Sequence, residues 1–323
     1  MPAPLNLPLA RAALNRNSEL RKRETLLDDL LAVVNVVCVL IHQDKALANA
    51  QATGLRLLTP RELAKHFEVQ PLAYLGHTVA DEGGVEAETA VVLLDLSEDQ
   101  VAVLNRAGHS EPGDWLTLRK SGFGLSDRDA GLLTQALALT NWHRGQTFCA
   151  NCSAATVSTQ AGWSRTCVDC KREVFPRNDP AIIVSIVDDE DRILLGSQGV
   201  WEENRWSILA GFVDAGETLH AAVEREMLEE AGLKVTDIEF IGSQPWPYPF
   251  SLMVGFTARA RGEQHLQPDG FEIEKLRWFS REQIAAEASE LLLPGKSTIS
   301  RAMIEHWFGG EIVSKSELQQ GQR

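Results

Sequence analysis

Apolar residues along this chain come in short runs that polar turns separate. The first two are LLAVVNVVCVLIH, residues 30–42, and TAVVLLDL, residues 89–96. We interpret both as buried strands, because short continuous apolar segments bounded by turns suit the interior of a sheet. Between them, Thr59 followed by Pro60 predicts the start of a helix. We therefore expect an N-terminal α+β domain over residues 1–145.

A longer helix is predicted after Ser126. The segment SDRDAGLLTQALALTNWHRG has Ser126 at the N-cap position and Asp129 three residues later, followed by apolar residues at helical spacing. Gly145 closes the segment. We expect this helix to link the first domain to the region that follows.

From residue 179 to 315 the pattern predicts a mixed sheet packed between helices. Strands are expected in AIIVSIV, RILLGS, RWSILAGFV, IEFIGSQ, SLMVGFTARAR and KLRWFS. A turn is expected over residues 188–191, and Ser280 followed by Gln283 predicts another helix start. The polar segment 316–323 is predicted to be a disordered tail.

Length and charge narrow the class of protein. The chain has 323 residues, of which 44% are hydrophobic, and a formal net charge of -14. This length allows a sizeable core and favours more than one domain. The acidic balance argues against general binding of nucleic acids or anionic membranes. No apolar run approaches the roughly 20 residues of a spanning helix, and no secretory pattern is present, so we expect a cytoplasmic protein without a membrane partner.

Two CxxC pairs lie in the region 146–178. Thiolates suit tetrahedral zinc, and four of them close its coordination sphere, so the spacing predicts a structural zinc ribbon. Two disulfides or four core cysteines are the alternative, which a reducing compartment disfavours. Cys38, alone in an apolar run, is expected to be a core residue. The predicted zinc ligands are Cys149, Cys152, Cys167 and Cys170.

The segment GETLHAAVEREMLEEAGL, residues 216–233, predicts a helix that begins after Thr218 and ends before Gly232. Helical periodicity gives it an apolar face, formed by Val223, Met227 and Ala231. The neighbouring face is acidic and is formed by Glu226, Glu229 and Glu230. Two unit charges about 4 Å apart repel by roughly 4 kcal/mol at an effective dielectric constant near 20. The crowding therefore predicts a bound cation, with a solvated acidic surface as the alternative.

This helix and the loop before it carry a longer pattern. The form G-x5-E-x7-R-E-U-x-E-E-x-G-U, where U is a bulky aliphatic residue, is satisfied by Gly211, Glu217, Arg225, Glu226, Met227, Glu229, Glu230, Gly232 and Leu233. The pattern resembles the Nudix box of Nudix hydrolases. The resemblance implies an α/β fold, a Nudix α/β/α sandwich with a mixed sheet, here preceded by the zinc ribbon and the N-terminal α+β domain. It also implies hydrolysis of a diphosphate with Mg²⁺ or Mn²⁺, hard ions that carboxylates hold.

The resemblance further implies roles for individual residues. Glu229 is implied as a metal ligand or as the base that activates water. Glu217 and Arg225 look like a pair that supports the loop, with an ordinary surface salt bridge as the alternative. The implied catalytic residues are Glu217, Arg225, Glu226, Glu229 and Glu230, and the implied Mg²⁺ or Mn²⁺ ligands are Ala210, Glu226, Glu230 and Glu272.

Downstream of the box, SQPWPYPFS at residues 243–251 looks like the motif of the NADH pyrophosphatase subfamily, which also removes NAD caps from RNA. The same subfamily also has a zinc ribbon directly before its Nudix domain, as is predicted here. Phe175 stands where members often carry tyrosine, so it keeps a stacking face without the hydroxyl. A proline-rich turn whose aromatic rings pack in the core is the alternative. The implied substrate contacts are Phe175, Phe212, Gln244, Pro245, Trp246, Pro247, Tyr248, Pro249, Phe250, Ser251 and Ser300.

Taken together, these resemblances imply a homodimer that cleaves NAD(H) into nicotinamide mononucleotide and AMP and removes NAD caps from RNA 5′ ends. ADP-ribose and dinucleoside polyphosphates are the alternative substrates within the same family. An RNA-binding or regulatory module built around the ribbon is the alternative of another class.

Overall fold

The computed structural model describes residues 5–111 and 114–315, so the predicted tail at 316–323 lies outside the described residues. The chain divides into two compact units. The N-terminal unit comprises Arg11–Asn178 together with Trp246–Phe250, and the C-terminal unit comprises, among the described residues, 5–10, Asp179–Pro245 and 251–315. Over the described ranges, no helix is both long enough and apolar enough to cross a membrane.

The N-terminal unit is built on a six-stranded mixed sheet. Its strands follow the spatial order β1-β4-β5-β2-β3-β6. Strand β2 is parallel to β5, whereas β4 is antiparallel to β5 and β3 is antiparallel to β2. Their bounds are β1 Leu14–Asn15, β2 Val36–His42, β3 Lys45–Leu47, β4 Ala73–Thr78, β5 Ala90–Asp95 and β6 Trp115–Leu116.

The helix predicted after Ser126 is present. Ser126 caps it by accepting the N–H of Asp129 at 3.2 Å. This helix, α5, is buried along most of its length and packs against β2 and β4, so it belongs to the core of its unit. The helices of the unit are α1 Leu26–Ala32, α2 Pro60–Leu63, α3 Glu98–Arg106, α4 Leu118–Ser121 and α5 Asp127–Gly145, with 3-10 turns at Ser18–Lys22, Gly122–Gly124 and Gln160–Gly162.

The strand predicted over residues 30–42 is wrong in its first part. Residues 30–32 complete helix α1, and the strand begins at Val36. Val34 between them is 72% exposed, so the apolar run crosses a surface turn. A short apolar run by itself does not distinguish a helix from a strand. The second predicted strand is confirmed as β5, and Cys38 is fully buried as expected.

The two CxxC pairs lie around a small three-stranded antiparallel sheet in the N-terminal unit, formed by β7 Thr156–Thr159, β8 Ser164–Cys167 and β9 Glu173–Val174. Arg165 connects this sheet to helix α5 by donating to Nδ1 of His143 at 2.9 Å. Because Nδ1 accepts this bond, Nε2 carries the proton that it donates to the Gly162 carbonyl at 2.8 Å. Burial lowers the pKa of His143, which favours this neutral imidazole.

The C-terminal unit is a second mixed sheet, with the order β13-β14-β10-β11-β15 and with β12 also paired to β10. Strand β10 is parallel to β14 and antiparallel to β11 and β12, and β11 is antiparallel to β15. All six predicted strands are present. Their bounds are β10 Asp179–Asp188, β11 Ile193–Ser197, β12 Leu209–Phe212, β13 Thr236–Trp246, β14 Ser251–Ala260 and β15 Lys275–Phe279, and the helices are α6 Leu219–Ala231, α7 Arg281–Glu287 and α8 Ile299–Phe308.

Helices cover both faces of this second sheet. Alternate residues of β10 point to opposite faces, as the period of a strand requires. One face packs with α6 through Ile182, Val184, Ile186, Ala222, Val223 and Met227. The other face packs with α7 and α8 through Ile183, Val187, Ile284, Ile299 and Met303. The C-terminal unit is therefore the α/β/α sandwich that the sequence predicted.

The two units share one strand pattern. In each, a long strand (β2 or β10) is parallel to a later strand (β5 or β14) and antiparallel to the strand that follows it. An isolated bridge between Cys38 and Leu58 takes the place beside β2 that β12 takes beside β10. The next helix has four residues in the N-terminal unit and thirteen in the C-terminal unit. The long acidic helix is therefore a feature of the C-terminal unit.

Candidate active site

Helix α6 begins and ends where the sequence predicted. The hydroxyl of Thr218 accepts the N–H of Ala221 at 3.2 Å, and Gly232 adopts a left-handed φ of 68° after the last turn. The predicted apolar face, Val223, Met227 and Ala231, is fully buried. Because this face packs on the sheet, the neighbouring acidic face lies along the edge of strand β12.

A cleft of about 350 Å³ lies beside this acidic face. Strand β12 forms one wall, and β10, helix α6, the start of β14 and the segment before β15 also line it. The predicted site residues that line it are Ala210, Phe212, Glu226, Ser251 and Glu272, and they are joined by Ala181, Gly211, Asp214 and Met253. The fold thus gathers residues that are separated by up to about ninety positions in the sequence, from Ala181 to Glu272.

Gly211 allows Glu226 to approach strand β12. A Cβ placed on Gly211 would overlap the carboxylate of Glu226. Glycine is therefore required at this position because the carboxylate occupies the space of a side chain. Gly216, farther along the same loop, has a φ of 89° and allows the chain to turn towards α6.

Arg225 connects the loop to the acidic helix. Its Nε and Nη2 donate to the two carboxylate oxygens of Glu217 at 2.9 Å each, and Nη2 also donates to the Phe212 carbonyl at 2.9 Å. Its Nη1 donates to Glu226 at 2.9 Å and to Glu229 at 3.0 Å. Hydrogen bonding to Glu217, and then to these other carboxylates, raises the pKa of Arg225. The guanidinium thereby offsets part of the repulsion within the cluster.

Glu230 is the buried member of the cluster, with 4% of its surface exposed. Its Oε2 atom is buried and accepts no hydrogen bond from the residues that the structure describes. Burial first, and then the charges of Glu226, Glu272 and Asp269, raise the pKa of Glu230 to about 8. Such a carboxyl is costly to ionise unless a cation approaches it. Glu226 shows the same tendency, since burial raises its pKa against the opposing effect of Arg225.

Glu272 lies on a turn that Asp269 holds. Oδ1 of Asp269 accepts the backbone N–H groups of Phe271, Glu272 and Ile273 at 3.1, 3.2 and 2.8 Å. This single carboxylate therefore fixes the backbone on both sides of Glu272. Sequence reasoning missed Asp269, although an aspartate two to four residues before the amides that it binds is a recognisable turn signal.

Two residues that were predicted to contact the substrate are buried and form hydrogen bonds within the protein. Gln244 is fully buried, and its amide accepts from Leu9 N–H and donates to the Ser297 carbonyl, both at 3.0 Å. Ser300 is 5% exposed and shares a hydrogen bond of 2.8 Å with Ser207. The expectation that these side chains face a ligand is therefore corrected. Both residues lie at positions where the fold needs a buried polar group satisfied.

The aromatic residues of the proline-rich segment pack within the N-terminal unit. Arg119 lies over the rings of Trp246 and Tyr248, at 5.1 and 4.0 Å from their centroids. The Pro247 carbonyl accepts from Asn141 at 2.9 Å, and Arg177 lies 5.3 Å from the Phe250 ring. These contacts agree with the packing alternative for Trp246 and Tyr248. Pro245 is partly buried and Pro249 is exposed.

The four predicted zinc ligands converge in the N-terminal unit. Their ligand atoms all lie within 4.8 Å of one another, and the sulfurs of Cys149 and Cys170 and of Cys152 and Cys167 are 3.7 and 3.4 Å apart. All four thiols are free, and these distances are far longer than a disulfide bond of about 2.05 Å. Zinc–sulfur bonds of about 2.3 Å in a tetrahedron require sulfurs about 3.8 Å apart, so the cluster fits zinc. Phe175, which directly follows strand β9, is 57% exposed.

The ligand atoms of the acidic cluster lie farther apart than those of the cysteine cluster. Within the described ranges, no three carboxylates bring ligand atoms within 4.8 Å of one another. Glu226 and Glu229 share Arg225 instead, since like charges repel. The donor set nevertheless fits Mg²⁺ or Mn²⁺, because it consists of hard oxygen atoms and includes the unpartnered Oε2 of Glu230.

A larger cleft of about 510 Å³ lies elsewhere in the C-terminal unit, between strands β10, β13 and β14 and helix α8. Two of its arginines are paired with carboxylates, Arg261 with Asp237 at 2.7 Å and Arg281 with Asp191 at 2.5 Å. The third, Arg259, donates to the Asp188 carbonyl at 3.3 Å. Of the two clefts, the smaller one contains the predicted carboxylates Glu226 and Glu272.

Comparison with known sequences matches both units. A NUDIX domain family matches residues 176–302. A second family, described as an NADH pyrophosphatase-like rudimentary NUDIX domain, matches residues 36–142. The second match agrees with the shared strand pattern and with the short helix α2 at the position of α6. Sequence reasoning described this region only as an α+β domain.

Several relatives are similar over most of the chain. One is the NAD-capped RNA hydrolase NudC of Mycobacterium bovis, 41% identical over 210 residues, which are 62% of this chain and 67% of that protein. The NAD-capped RNA hydrolase NUDT12 of Homo sapiens is 35% identical over 198 residues, which are 57% of this chain and 43% of that protein. Among solved structures, a NUDIX hydrolase from Nitrosomonas europaea matches with a TM-score of 0.39 and 23% identity, over 51% of this chain and 95% of that one.

Proposed function

Because this chain belongs to the Nudix hydrolase family, we propose that it cleaves the diphosphate of NAD(H) into nicotinamide mononucleotide and AMP. We propose that it also removes NAD caps from RNA 5′ ends, leaving a 5′-monophosphate. The observation that carries this function is the buried Glu230 beside the cleft that Glu226 and Glu272 line, in a chain similar to two NAD-capped RNA hydrolases.

The reaction replaces one phosphorus–oxygen bond of the diphosphate with a bond to water. A divalent cation, when bound, neutralises phosphate oxygens and lowers the pKa of water. Glu226, Glu230, Glu272 and the Ala210 carbonyl would hold such an ion, Mg²⁺ or Mn²⁺. Glu229, whose side chain is 60% exposed, is suited to accept the proton from the attacking water or to complete the ligand set.

The supporting residues position these carboxylates. Glu217 and Arg225 hold the loop against helix α6, and Arg225 orients the carboxylates of Glu226 and Glu229. Phosphoryl transfer depends on positioning and on electrostatic stabilisation more than on covalent assistance from the protein. The pair therefore contributes to catalysis by keeping the acidic groups in place.

Substrate recognition is proposed to begin at Phe212 and Ser251. Phe212 lines the cleft and is 60% exposed, so its ring has a free face for stacking on a base of the dinucleotide. Ser251 lines the same cleft and offers a hydroxyl to the ribose or the phosphates. Phe175, Pro245, Pro247, Pro249 and Phe250 remain proposed contacts from the subfamily motif.

The remaining properties are also proposals. The four-cysteine cluster is proposed to hold a structural Zn²⁺. The protein is proposed to act in the cytoplasm as a homodimer, with NAD(H) and NAD-capped RNA as its binding partners.

Product analysis tests the function. Purified protein is incubated with Mg²⁺ or Mn²⁺ and with NADH, NAD⁺, ADP-ribose, a diadenosine polyphosphate or NAD-capped RNA, and the products are separated by chromatography. We expect nicotinamide mononucleotide from the NAD-containing substrates and a higher kcat/KM for them than for the others. A higher kcat/KM for ADP-ribose or the diadenosine compound would replace this substrate assignment. RNA binding that survives loss of the carboxylates, without any cleavage, would instead favour a binding module.

A further inference from the structure

The larger cleft of the C-terminal unit, of about 510 Å³, lies beside helix α8. On strand β14, Met253 lines the candidate active site and Thr257 lines this larger cleft. Helix α8 packs on Gly255 between them, since a Cβ there would lie 3.2 Å from side-chain atoms of both Ile299 and Met303. Alternate residues of a strand share one face, so α8 separates the two clefts. The larger cleft is therefore a cavity of its own within this unit.

Two hydroxyl groups that line this cleft have no hydrogen-bond partner among the described residues. Ser185 on β10 and Thr257 on β14 lie directly opposite each other in the parallel pairing of these strands. Ser185 is only 2% exposed, and Thr257 is partly buried. Because buried polar side chains are normally hydrogen-bonded, this pair of hydroxyls indicates that a polar ligand occupies the cleft.

Arg259 brings a positive charge to the same cleft. It follows Thr257 by two positions on β14 and so lies on the same face of the sheet. Its Nη1 atom donates to the Asp188 carbonyl at 3.3 Å, and no carboxylate of the described residues lies at ion-pair distance from it. Arg261 and Arg281, by contrast, are paired with aspartates. Arg259 therefore retains N–H donors for an anion, since a guanidinium has five of them.

A carboxylate on the neighbouring strand also lines the cleft. Glu239 of β13 is exposed, and its side chain forms no hydrogen bond or ion pair with the described residues. Acidic side chains accept hydrogen bonds from ribose hydroxyls in dinucleotide-binding folds. Trp307 is 9% exposed and has the guanidinium of Arg281 at 4.6 Å from its ring centroid, so its ring is not available for stacking on a base. The cleft thus offers donors for a phosphate and an acceptor for a sugar.

We propose that this cleft binds a phosphorylated ribose, either ribose 5-phosphate itself or the same unit of a mononucleotide. Arg259 and the hydroxyls of Ser185 and Thr257 donate to the phosphate, and charge assistance strengthens these hydrogen bonds. Glu239 accepts from the ribose hydroxyls. Cavities of about 300–1,000 Å³ hold small ligands, a range that includes this cleft. The site lies apart from the carboxylates of the smaller cleft, so it goes beyond the proposed hydrolysis and does not depend on it.

Isothermal titration calorimetry tests the site without turnover. The zinc-loaded, full-length protein is titrated, without Mg²⁺ or Mn²⁺, with ribose 5-phosphate, AMP, adenosine and inorganic phosphate. The variants are Thr257→Val, which keeps the shape and loses the hydroxyl, Arg259→Gln and Glu239→Ala. Arg205→Gln is the matched control, because Arg205 is a partly buried arginine of the same unit that pairs with Glu202 and lines neither cleft. Thermal unfolding checks that each variant is folded.

We expect ribose 5-phosphate and AMP to bind with similar affinity, and adenosine to bind much more weakly because it lacks the phosphate. The dissociation constant for ribose 5-phosphate should rise about ten- to a hundredfold in Arg259→Gln, which loses a charge, and about three- to tenfold in Thr257→Val. Glu239→Ala should weaken the binding of ribose 5-phosphate without weakening that of inorganic phosphate. Arg205→Gln should bind all four compounds as the wild type does.

Three results would overturn the proposal. No binding of any of the four compounds at millimolar concentrations would leave the cleft as a groove filled by water. Equal affinity for adenosine and AMP would remove the role assigned to Arg259. Binding that is weakened by Phe212→Ala and not by Thr257→Val would place the ligand in the smaller cleft.

Discussion

Gly211 and Glu226 are in such close contact that a β-carbon on the glycine would overlap the carboxylate. The carboxylate lies against the backbone of strand β12, in the same cleft as the Ala210 carbonyl. The glycine and the glutamate are fifteen positions apart in the sequence, and the packing of helix α6 on the sheet brings them together.

The first prediction concerns this contact. Gly211→Ala should displace Glu226 and lower kcat/KM by about a hundredfold, because a ligand that moves by an ångström loses its ion. Overpacking should also cost about 1–3 kcal/mol of unfolding free energy. Steady-state kinetics and urea unfolding measure the two effects. Gly310→Ala is the control, since a Cβ there meets no atom within 4 Å, and normal activity of Gly211→Ala would contradict the assigned role of Glu226.

The second prediction concerns Glu230. Glu230→Gln should lower kcat by at least about a hundredfold, because the buried Oε2 that a cation would contact is replaced. The folded protein should remain as stable, since a neutral amide avoids the cost of burying a charge. Glu224→Gln on the exposed side of the same helix is the matched control. Full activity of Glu230→Gln with unchanged metal dependence would eliminate the proposed mechanism.

The third prediction concerns the turn that carries Glu272. Asp269→Ala removes the acceptor of three backbone N–H groups and should weaken Mn²⁺ binding about ten- to a hundredfold, as lost supports of metal ligands do. Asp269→Asn keeps one oxygen acceptor and should restore much of the affinity. Electron paramagnetic resonance of free Mn²⁺ measures binding without turnover.

Asp189→Ala provides the control for this turn, because Asp189 also accepts a backbone N–H, that of Gly262 at 2.8 Å, away from the glutamates. Equal Mn²⁺ affinity in Asp269→Ala and Asp189→Ala would show that the turn does not position Glu272.

The fourth prediction concerns the cysteine cluster. Cys149→Ser should reduce bound zinc from about one ion per chain to a small fraction and destabilise the ribbon, because structural zinc supplies folding free energy. Backbone N–H groups of Asn151 and Cys152 lower the pKa of the Cys149 thiol, which favours the thiolate that zinc binds. Elemental analysis measures the metal. Cys38→Ala, in the core of the same unit, should retain zinc, and a metal-free wild type would refute the prediction.

The fifth prediction concerns pH. Burial lowers the pKa of His143 in the folded state below its ordinary value of 6.5, so the unfolded chain binds the proton more readily. The contribution of neutral His143 to the free energy of unfolding is therefore complete above about pH 6.5. It is lost as the pH falls towards the lowered pKa of the folded state. Urea unfolding at pH 5.5 and 7.5 should show this loss, and His143→Gln should show less of it. An identical pH dependence in the variant would exclude His143 as its source.

The sequence predicted much of the site because local patterns specify local structure. Thr218 and Gly232 mark the ends of helix α6 by their capping chemistry, and the spacing of Glu226, Glu229 and Glu230 places them on one side of it. The Glu217–Arg225 contact also follows from a motif whose members lie eight positions apart. Each of these features depends on residues within about two turns of helix or one loop.

The roles of residues whose contacts lie far away in the sequence were predicted less well. Gln244 and Ser300 have the polarity of ligand contacts, yet their partners are Leu9, Ser297 and Ser207 inside the fold. Whether a polar group is buried depends on which segments pack against it, and local sequence patterns do not predict this packing. The same holds for Trp246 and Tyr248, whose rings pack with Arg119 more than one hundred positions away.

The sequence by itself determined the acidic helix, the two cysteine pairs and the succession of strands along the chain in the C-terminal unit. Periodicity, caps and motif spacing are properties of neighbouring residues, so the sequence carries them directly. The tertiary structure alone decided that Glu230 is buried, with an Oε2 atom that has no hydrogen-bond partner among the described residues, and that Asp269 holds the backbone of Glu272. These features arise from contacts between distant segments, where burial and unscreened charge set the free energy of each group.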